Sequence, residues 1–108
     1  MFNAVMFHHF HGKKHPETTG SLNKKELYKI IKYLKKNYNL LNADQFLIKS
    51  KNNSLCTKDI CLTFDDNLKC QYDIAYPVLK KEKISAFFFI YSSIFDKKSN
   101  PMEVFRDF

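Results

Sequence analysis

The chain has 108 residues, enough for one domain at most, and 44% of them are hydrophobic, including eleven Phe. It carries 18 Lys and Arg against 11 Asp and Glu, for a net charge of +7, and just one of the 18 is Arg. Because sequence-reading nucleic-acid sites rely on the planar Arg side chain, this balance indicates a solvated basic face and no nucleic-acid partner. Attraction to an anionic polysaccharide or lipid head group stays open.

The cysteines and the first residues bear on the compartment. Cys56, Cys61 and Cys70 are an odd number, and their spacing matches neither a zinc ribbon nor a redox pair. We therefore expect no disulfide framework, a reducing compartment and a buried Cys61. The first ten residues lack a basic segment and a long apolar run, so we expect neither a secretory signal nor a transmembrane segment. The expected location is cytoplasmic, with peripheral association with the envelope left open.

A strand, a polar loop and an amphipathic helix are predicted first. Residues 4–9 are typical of a short strand, and residues 10–20 of a loop that either faces substrate or is mobile. Asn23 and Glu26 form the capping-box pattern at the start of a helix. Its apolar stripe consists of Leu27, Ile30, Ile31, Leu34 and Tyr38.

Strands and helices then alternate along the rest of the chain. The predicted elements are an extended stretch at 38–41, a short helix from Asn42 or Asp44, a strand at 60–64, a helix at about 70–81 and a strand at 85–91. Asn100-Pro101 marks a turn, after which residues 102–108 have the composition of a helix start. The alternation predicts an α/β fold with a parallel sheet.

Two adjacent carboxylates, Asp65 and Asp66, follow the apolar strand at 60–64 directly. Like charges this close raise each other's pKa unless a cation or proton lies between them, and folds tolerate such pairs mostly at working sites. In parallel sheets, sites gather where strands end. The pair suits one acid that holds a metal ion and one that handles a proton. The alternative is an acidic turn, since Asp readily bonds its own backbone.

Four segments carry a resemblance to a known family. The segment LTFDDN at 62–67 resembles the first motif of NodB-type polysaccharide deacetylases, usually written TFDDG. AYPVLKK at 75–81 resembles the family's A-x-P-x-L-x-K helix, and ISAFFFI at 84–90 resembles the strand that follows. VMFHHF at 5–10 resembles the family's opening strand. The matches come in the family's order along nearly the whole chain.

The resemblance implies a fold and an activity. The fold would be the N-terminal half of a distorted (β/α) barrel, with residues 1–108 forming a partial NodB homology domain that lacks the C-terminal half. The activity would be metal-dependent hydrolytic deacetylation of N-acetylated sugars in a bacterial surface polysaccharide or its precursor. Asp65 would be the catalytic general base, and Asp66 would bind a divalent metal of the zinc type.

Two departures from the family pattern affect these expectations. Asn67 replaces the usual Gly, and we expect the turn to survive because Asn is the next most tolerant residue of positive φ. The family's His-x-x-x-His motif has no counterpart, because no histidine follows His15. We therefore expect a chain that is inactive alone and that meets a complementing chain or self-associates. The alternative is a non-catalytic remnant that binds a glycan or a partner chain.

The four histidines present offer weaker candidates. His11 and His15 have i, i+4 spacing, but Gly12 and Pro16 argue against the helix that would bring them together. His8 and its neighbour His9 alternate across a strand, so one of them faces the barrel interior, as a structural residue or as part of the pocket lining.

The aromatic cluster near the C-terminus is typical of a buried core rather than of a sugar-binding platform. The cluster consists of Phe87, Phe88, Phe89 and Tyr91.

Overall fold

Parallel strands alternate with helices in the computed structural model, which describes residues 3–90. The elements are β1 (Ala4–Phe7), α1 (Lys24–Asn37), β2 (Asn39–Leu40), α2 (Ala43–Lys51), β3 (Asp59–Phe64), a π-helical segment (Gln71–Ala75), α3 (Tyr76–Glu82) and β4 (Phe87–Phe88). The predicted α/β class is confirmed. The predicted turn at 100–101 and the stretch after it lie outside the described residues.

Strand β3 is the centre of the sheet. β1 pairs with it in parallel, from Ala4 opposite Cys61 to Phe7 opposite Phe64. β2 pairs with the start of β3, and β4 pairs with its end, where Phe88 lies opposite Phe64. β1, β3 and β4 therefore end at one edge of the sheet, which is where parallel α/β folds place their sites.

The core is formed by the sheet, helix α1, the π-helical segment and α3. β3 is apolar along most of its length because both its faces are covered, and Leu62 and Phe64 are fully buried. Leu27, Ile31 and Leu34 of the predicted helical stripe are buried against it. Tyr38 does not belong to that stripe: it caps α1 in an extended conformation and is 39% exposed.

The capping box of α1 forms as predicted. The Glu26 backbone N–H donates to the Asn23 side chain at 2.8 Å, and the Asn23 backbone N–H donates to the Glu26 carboxylate at 2.9 Å. These two bonds satisfy donors that have no partner within the helix.

The helix predicted at 70–81 changes from π-helical to α-helical just before Pro77. Residues 71–75 form a π-helical turn, and the Tyr76 N–H donates to the carbonyl of Gln71. Pro77 is then the second residue of α3, a position where its missing N–H removes no helical bond. The wider turn thus accommodates the proline.

Two sequence-based assignments need correction at the strand ends. The strand predicted at 85–91 is shorter, since β4 spans Phe87–Phe88 and Tyr91 lies outside the described residues. Phe88 and Phe89 are 43% and 54% exposed, so the core assignment was wrong for them. Among residues 3–90, β4 pairs with one strand, β3.

The helices were also compared with what a membrane span requires. Within residues 3–90 no helix combines the length and apolar character needed to cross a membrane.

Candidate active site at the end of strand β3

The acidic pair lies in a turn that follows β3. The Asp65 backbone N–H donates to the carbonyl of Phe7 at 3.0 Å, which extends the β1–β3 pairing by one step. Asp66 and Asn67 then adopt positive φ angles of 77° and 50°. Asn67 thus adopts the positive φ that we expected it to tolerate. Asp66 also has a positive φ, which sequence analysis did not predict. Non-glycine residues in this region are uncommon and often mark functional sites.

Both carboxylates line one cavity of about 490 Å³. Their side chains are partly exposed, Asp65 by 27% and Asp66 by 16%. The sequence placed both acids at a shared pocket, and the structure brings them together there. The rest of the lining is mostly apolar, a common composition for ligand sites. It consists of Ala4, Met6, Thr63, Phe89 and Ile90.

His8 joins the two acids from the neighbouring strand. Its Nε2 lies 3.7 Å from Asp65 Oδ2 and 4.0 Å from Asp66 Oδ2. β1 ends at Phe7, so His8 follows the strand at the same edge of the sheet as the acids. His8 thus lies beside both acids, although it lines a neighbouring cavity and not the one that the acids line.

A buried glutamine holds the ends of the two strands together. Gln71 is 2% exposed, and its side-chain amide donates to the carbonyl of His8 at 2.9 Å and to the carbonyl of Asp65. It therefore fixes the backbone at two of the three residues that carry the site's side chains, His8 and Asp65. Sequence analysis missed Gln71. Its local sequence carried no distinguishing signal, because Lys69 and Asp73 also place polar residues in this stretch.

The ligand types at the site suit zinc, but their number does not complete a site. Carboxylate oxygen and imidazole nitrogen are both ordinary zinc ligands, and structural zinc sites use four. Among residues 3–90, no group of three or more His, Cys, Asp or Glu is arranged to hold a metal ion. Metal binding by Asp66 therefore stays a prediction.

His11 and His15 bond to different parts of the fold. His11 Nδ1 lies 2.7 Å from Ser21 Oγ, whereas His15 Nε2 lies 2.9 Å from Asp73 Oδ2. Gly12 and His15 exchange backbone hydrogen bonds across a tight turn, so the i, i+4 spacing does not fall on a helix. The hydrogen bond from His15 is the main reason that the pKa of Asp73 is lowered.

Comparison with known proteins agrees with the fold and with the acidic motif. The profile of the polysaccharide deacetylase family matches residues 52–106, which include β3 and the acidic pair. Curated protein sequences gave no significant match.

Three solved structures are similar to the chain. IcaB from Ammonifex degensii has a TM-score of 0.66 at 22% identity, covering 82% of this chain and 37% of that one. A de-N-acetylase from Aggregatibacter actinomycetemcomitans has a TM-score of 0.67 at 24% identity, covering 88% and 39%. The Streptococcus pyogenes deacetylase PplD, solved in complex with acetate, has a TM-score of 0.60 at 26% identity, covering 91% and 46%.

The chain thus spans less than half the length of each of these structures, in agreement with the predicted N-terminal half of their type of fold. The profile match extends over half of the chain and contains its acidic motif. The chain belongs to the polysaccharide deacetylase family.

Proposed function

We propose that this chain contributes the acid–base part of the active site of a metal-dependent deacetylase, which hydrolyses the acetamide of N-acetylated sugars in a surface polysaccharide or its precursor. The observation that supports this most directly is the convergence of Asp65, Asp66 and His8. Both carboxylates line one cavity, and the imidazole nitrogen lies within 4.0 Å of each. The similar structures described as deacetylases agree with this chemistry.

Asp65 is the candidate general base. It is the more exposed of the two acids and the nearer to His8. Its carboxylate would take a proton from the attacking water as the water oxygen bonds to the amide carbon. His8 would give a proton to the sugar nitrogen as the C–N bond breaks. The products are acetate and a primary amine on the sugar.

Asp66 would be the residue that holds the metal. One carboxylate binds zinc weakly, so the remaining ligands would come from residues outside 3–90 or from a complementing chain. When bound, a divalent cation supplies Lewis-acid polarisation of the amide carbonyl. The chain's own residues provide the proton transfers and the walls of the cavity.

Acetate release tests this proposal directly. The gene would be expressed to its natural stop codon, and acetate would be measured with N-acetylated oligosaccharides and added Zn²⁺. We expect Asp66→Ala to abolish release. Asp44→Ala is the matched control, because Asp44 lies in the exposed first turn of α2. Full activity of Asp66→Ala, or no release by the unaltered protein even when a complementing chain with a His-x-x-x-His motif is added, would overturn the deacetylase assignment.

Calorimetry on residues 1–108 alone tests whether the metal site is incomplete. We expect zinc to bind weakly, and Asp66→Ala to remove even that binding. Tight one-to-one binding would show that this chain holds a complete site. Binding of a glycan without acetate release would favour the non-catalytic remnant.

A further inference from the structure

A basic cavity lies where the loop between β1 and α1 meets the π-helical segment. It measures about 400 Å³, and three lysines line it: Lys13 from the loop, and Lys24 and Lys25 from the first turn of α1. The rest of the lining consists of His11, Gly12, Asn23, Asp73 and Ile74. Among residues 3–90, none lines both this cavity and the cavity of the acid pair. The basic cavity is therefore a separate feature of the fold.

The charge of the three lysines is not neutralised at the cavity. Within residues 3–90 none of the three forms an ion pair, whereas several other lysines of the fold pair with a carboxylate. Asp73, the carboxylate in the lining, pairs with His15 at 2.9 Å and with Lys69 at 3.8 Å. Three other cavities of the described residues, including that of the acid pair, have no lysine in their linings. Uncompensated positive charge is thus concentrated at this one.

Both lysines of α1 lie where a positive charge is unfavourable. The N-terminal end of a helix carries a partial positive charge, which favours acidic side chains in the first turn and opposes lysines. Glu26 is the acid in that turn, and its carboxylate accepts the Asn23 N–H in the capping box. An anion in the cavity would relieve the repulsion among the lysines.

The turn that carries Lys13 is formed before any ligand arrives. Gly12 and His15 exchange backbone hydrogen bonds of 2.9 and 3.1 Å, and Lys14 between them has a φ of 74°. Non-glycine residues in this region are uncommon and often mark functional sites. A Cβ at Gly12 would come within 3.3 Å of the Ile74 side chain, so the turn packs closely on the π-helical segment. A preorganised wall favours binding because less conformational freedom is lost when a ligand enters.

The type of cation indicates which anion the cavity accepts. A Lys ammonium is a compact point charge that commonly binds phosphate, whereas recognition of a planar carboxylate favours Arg. Three such groups favour a ligand with more than one negative charge. The volume of the cavity also lies in the range of small-molecule sites, roughly 300–1,000 Å³.

We infer that the basic cavity binds the phosphate group of a phosphate-bearing ligand, at a site distinct from the acid pair. The phosphate is either free in solution or carried by a larger molecule such as a sugar phosphate, and the experiment separates these two sources. The inference goes beyond the proposed function and does not depend on it, because neither acid of the pair takes part.

Titration with phosphates tests the inference on the full chain, followed by amide shifts in NMR and by calorimetry. The probes are inorganic phosphate, inorganic diphosphate and glucose 1-phosphate in about 0.15 M NaCl, which screens attraction to the overall charge of +7. We expect the largest shifts at Lys13, Lys24 and Lys25. Tighter binding of glucose 1-phosphate than of inorganic phosphate would assign the phosphate to a larger ligand, and equal binding would assign it to a free anion. No shift at these lysines with any probe would overturn the inference.

Lys25→Gln and Lys29→Gln form a matched pair, because both lysines are exposed on α1 and only Lys25 lines the cavity. Lys25→Gln should weaken the binding of diphosphate about tenfold, since a charge-assisted hydrogen bond is lost. Lys29→Gln should leave the binding nearly unchanged. Equal weakening by the two variants would mean a diffuse attraction to positive charge and would refute the site.

Lys25→Glu separates a binding role from a solvated surface. Without phosphate it should raise the melting temperature, because an acid replaces a lysine at the positive end of the helix. It should also remove the further rise that diphosphate gives the wild type. A variant that diphosphate still stabilises by the wild-type amount would refute the site. Acetate release enters none of these measurements, so their failure leaves the proposed function as it stands.

Discussion

The two ends of strand β3 use the same side chain in opposite ways. At its start, Asp59 is 1% exposed, and its carboxylate accepts three hydrogen bonds of 2.8 to 3.0 Å, from Lys49 Nζ, the Cys56 N–H and Asn39 Nδ2. At its end, Asp65 is 27% exposed and lies 3.7 Å from the His8 ring nitrogen, beside a cavity. One carboxylate is enclosed by donors, and the other faces space for a ligand.

The difference separates a structural acid from an accessible one. Chiefly because the Cys56 N–H bonds to it, with further help from Lys49 and Asn39, the pKa of Asp59 is lowered to about 2. The carboxylate therefore binds a proton weakly, and its oxygen lone pairs already accept hydrogen bonds from the protein. A general base must instead keep an oxygen accessible to water. The surroundings of each acid, and not its residue type, determine its role.

Exchanging each acid for its amide should give opposite results, and this is the largest effect that we expect. Asp65→Asn should lower the rate of acetate release by about 10²- to 10⁴-fold, because the general base is lost, and should leave the melting temperature nearly unchanged. Asp59→Asn should lower the melting temperature and leave the rate per folded molecule unchanged. Activity assays and thermal melts on both variants check this.

Two results of these amide substitutions would contradict the contrast between Asp59 and Asp65. If Asp65→Asn destabilises the protein as much as Asp59→Asn does, then Asp65 is a structural residue and the contrast between the strand ends is wrong. An unchanged rate in Asp65→Asn would assign the proton transfer to another group.

Acid should weaken the fold through Asp59. Its pKa falls from an ordinary 3.8 to about 2 on folding, so the unfolded chain binds the proton more readily. The stabilisation is fully present above pH 3.8 and is lost as the pH falls towards 2. Melting temperatures from pH 6 to pH 2 should therefore converge for the wild type and Asp59→Asn at the acid end. A constant gap between the two curves would contradict this.

Local patterns in the sequence predicted most of the fold and the two acids. The capping box at Asn23 and the apolar run before Asp65 depend on neighbouring residues, so both could be identified without coordinates. The fixed order of strand, helix and strand then indicated the parallel sheet and the edge at which its site lies.

What escaped prediction depends on contacts between distant residues. The place of His8 beside the acids follows from the register of β1 on β3, which one sequence does not specify. Gln71 can bond to the carbonyls of His8 and Asp65 only because the ends of β1 and β3 meet beside the π-helical segment. Phe88 and Phe89 were assigned to the core from composition alone, whereas their exposure depends on which elements cover them.

Replacing Gln71 should loosen the edge of the sheet that carries the site. Gln71→Met has a similar volume but leaves the carbonyls of His8 and Asp65 without the side-chain donor. We expect a loss of stability of about 1–3 kcal/mol, since two partly buried carbonyl acceptors lose their bond from Gln71. Denaturant unfolding measures the loss, and NMR should place the largest amide shifts at His8 and Asp65. Shifts spread evenly over the protein would argue against this positioning role.

The smallest expected effect concerns the turn that carries Asp66. Asn67 has a φ of 50°, which glycine adopts freely and a β-branched residue resists. Asn67→Gly should be as stable as the wild type or slightly more so, and Asn67→Val should lose about 1–2 kcal/mol. Asn53, with a φ of 52° just after α2, is the matched control. Its Gly and Val variants should show the same order of stability without changing acetate release.

Asn67→Val should also slow acetate release, because Asn67 adjoins Asp66. Equal rates of acetate release in Asn67→Val and Asn53→Val would mean that the turn holds no reactive group in place.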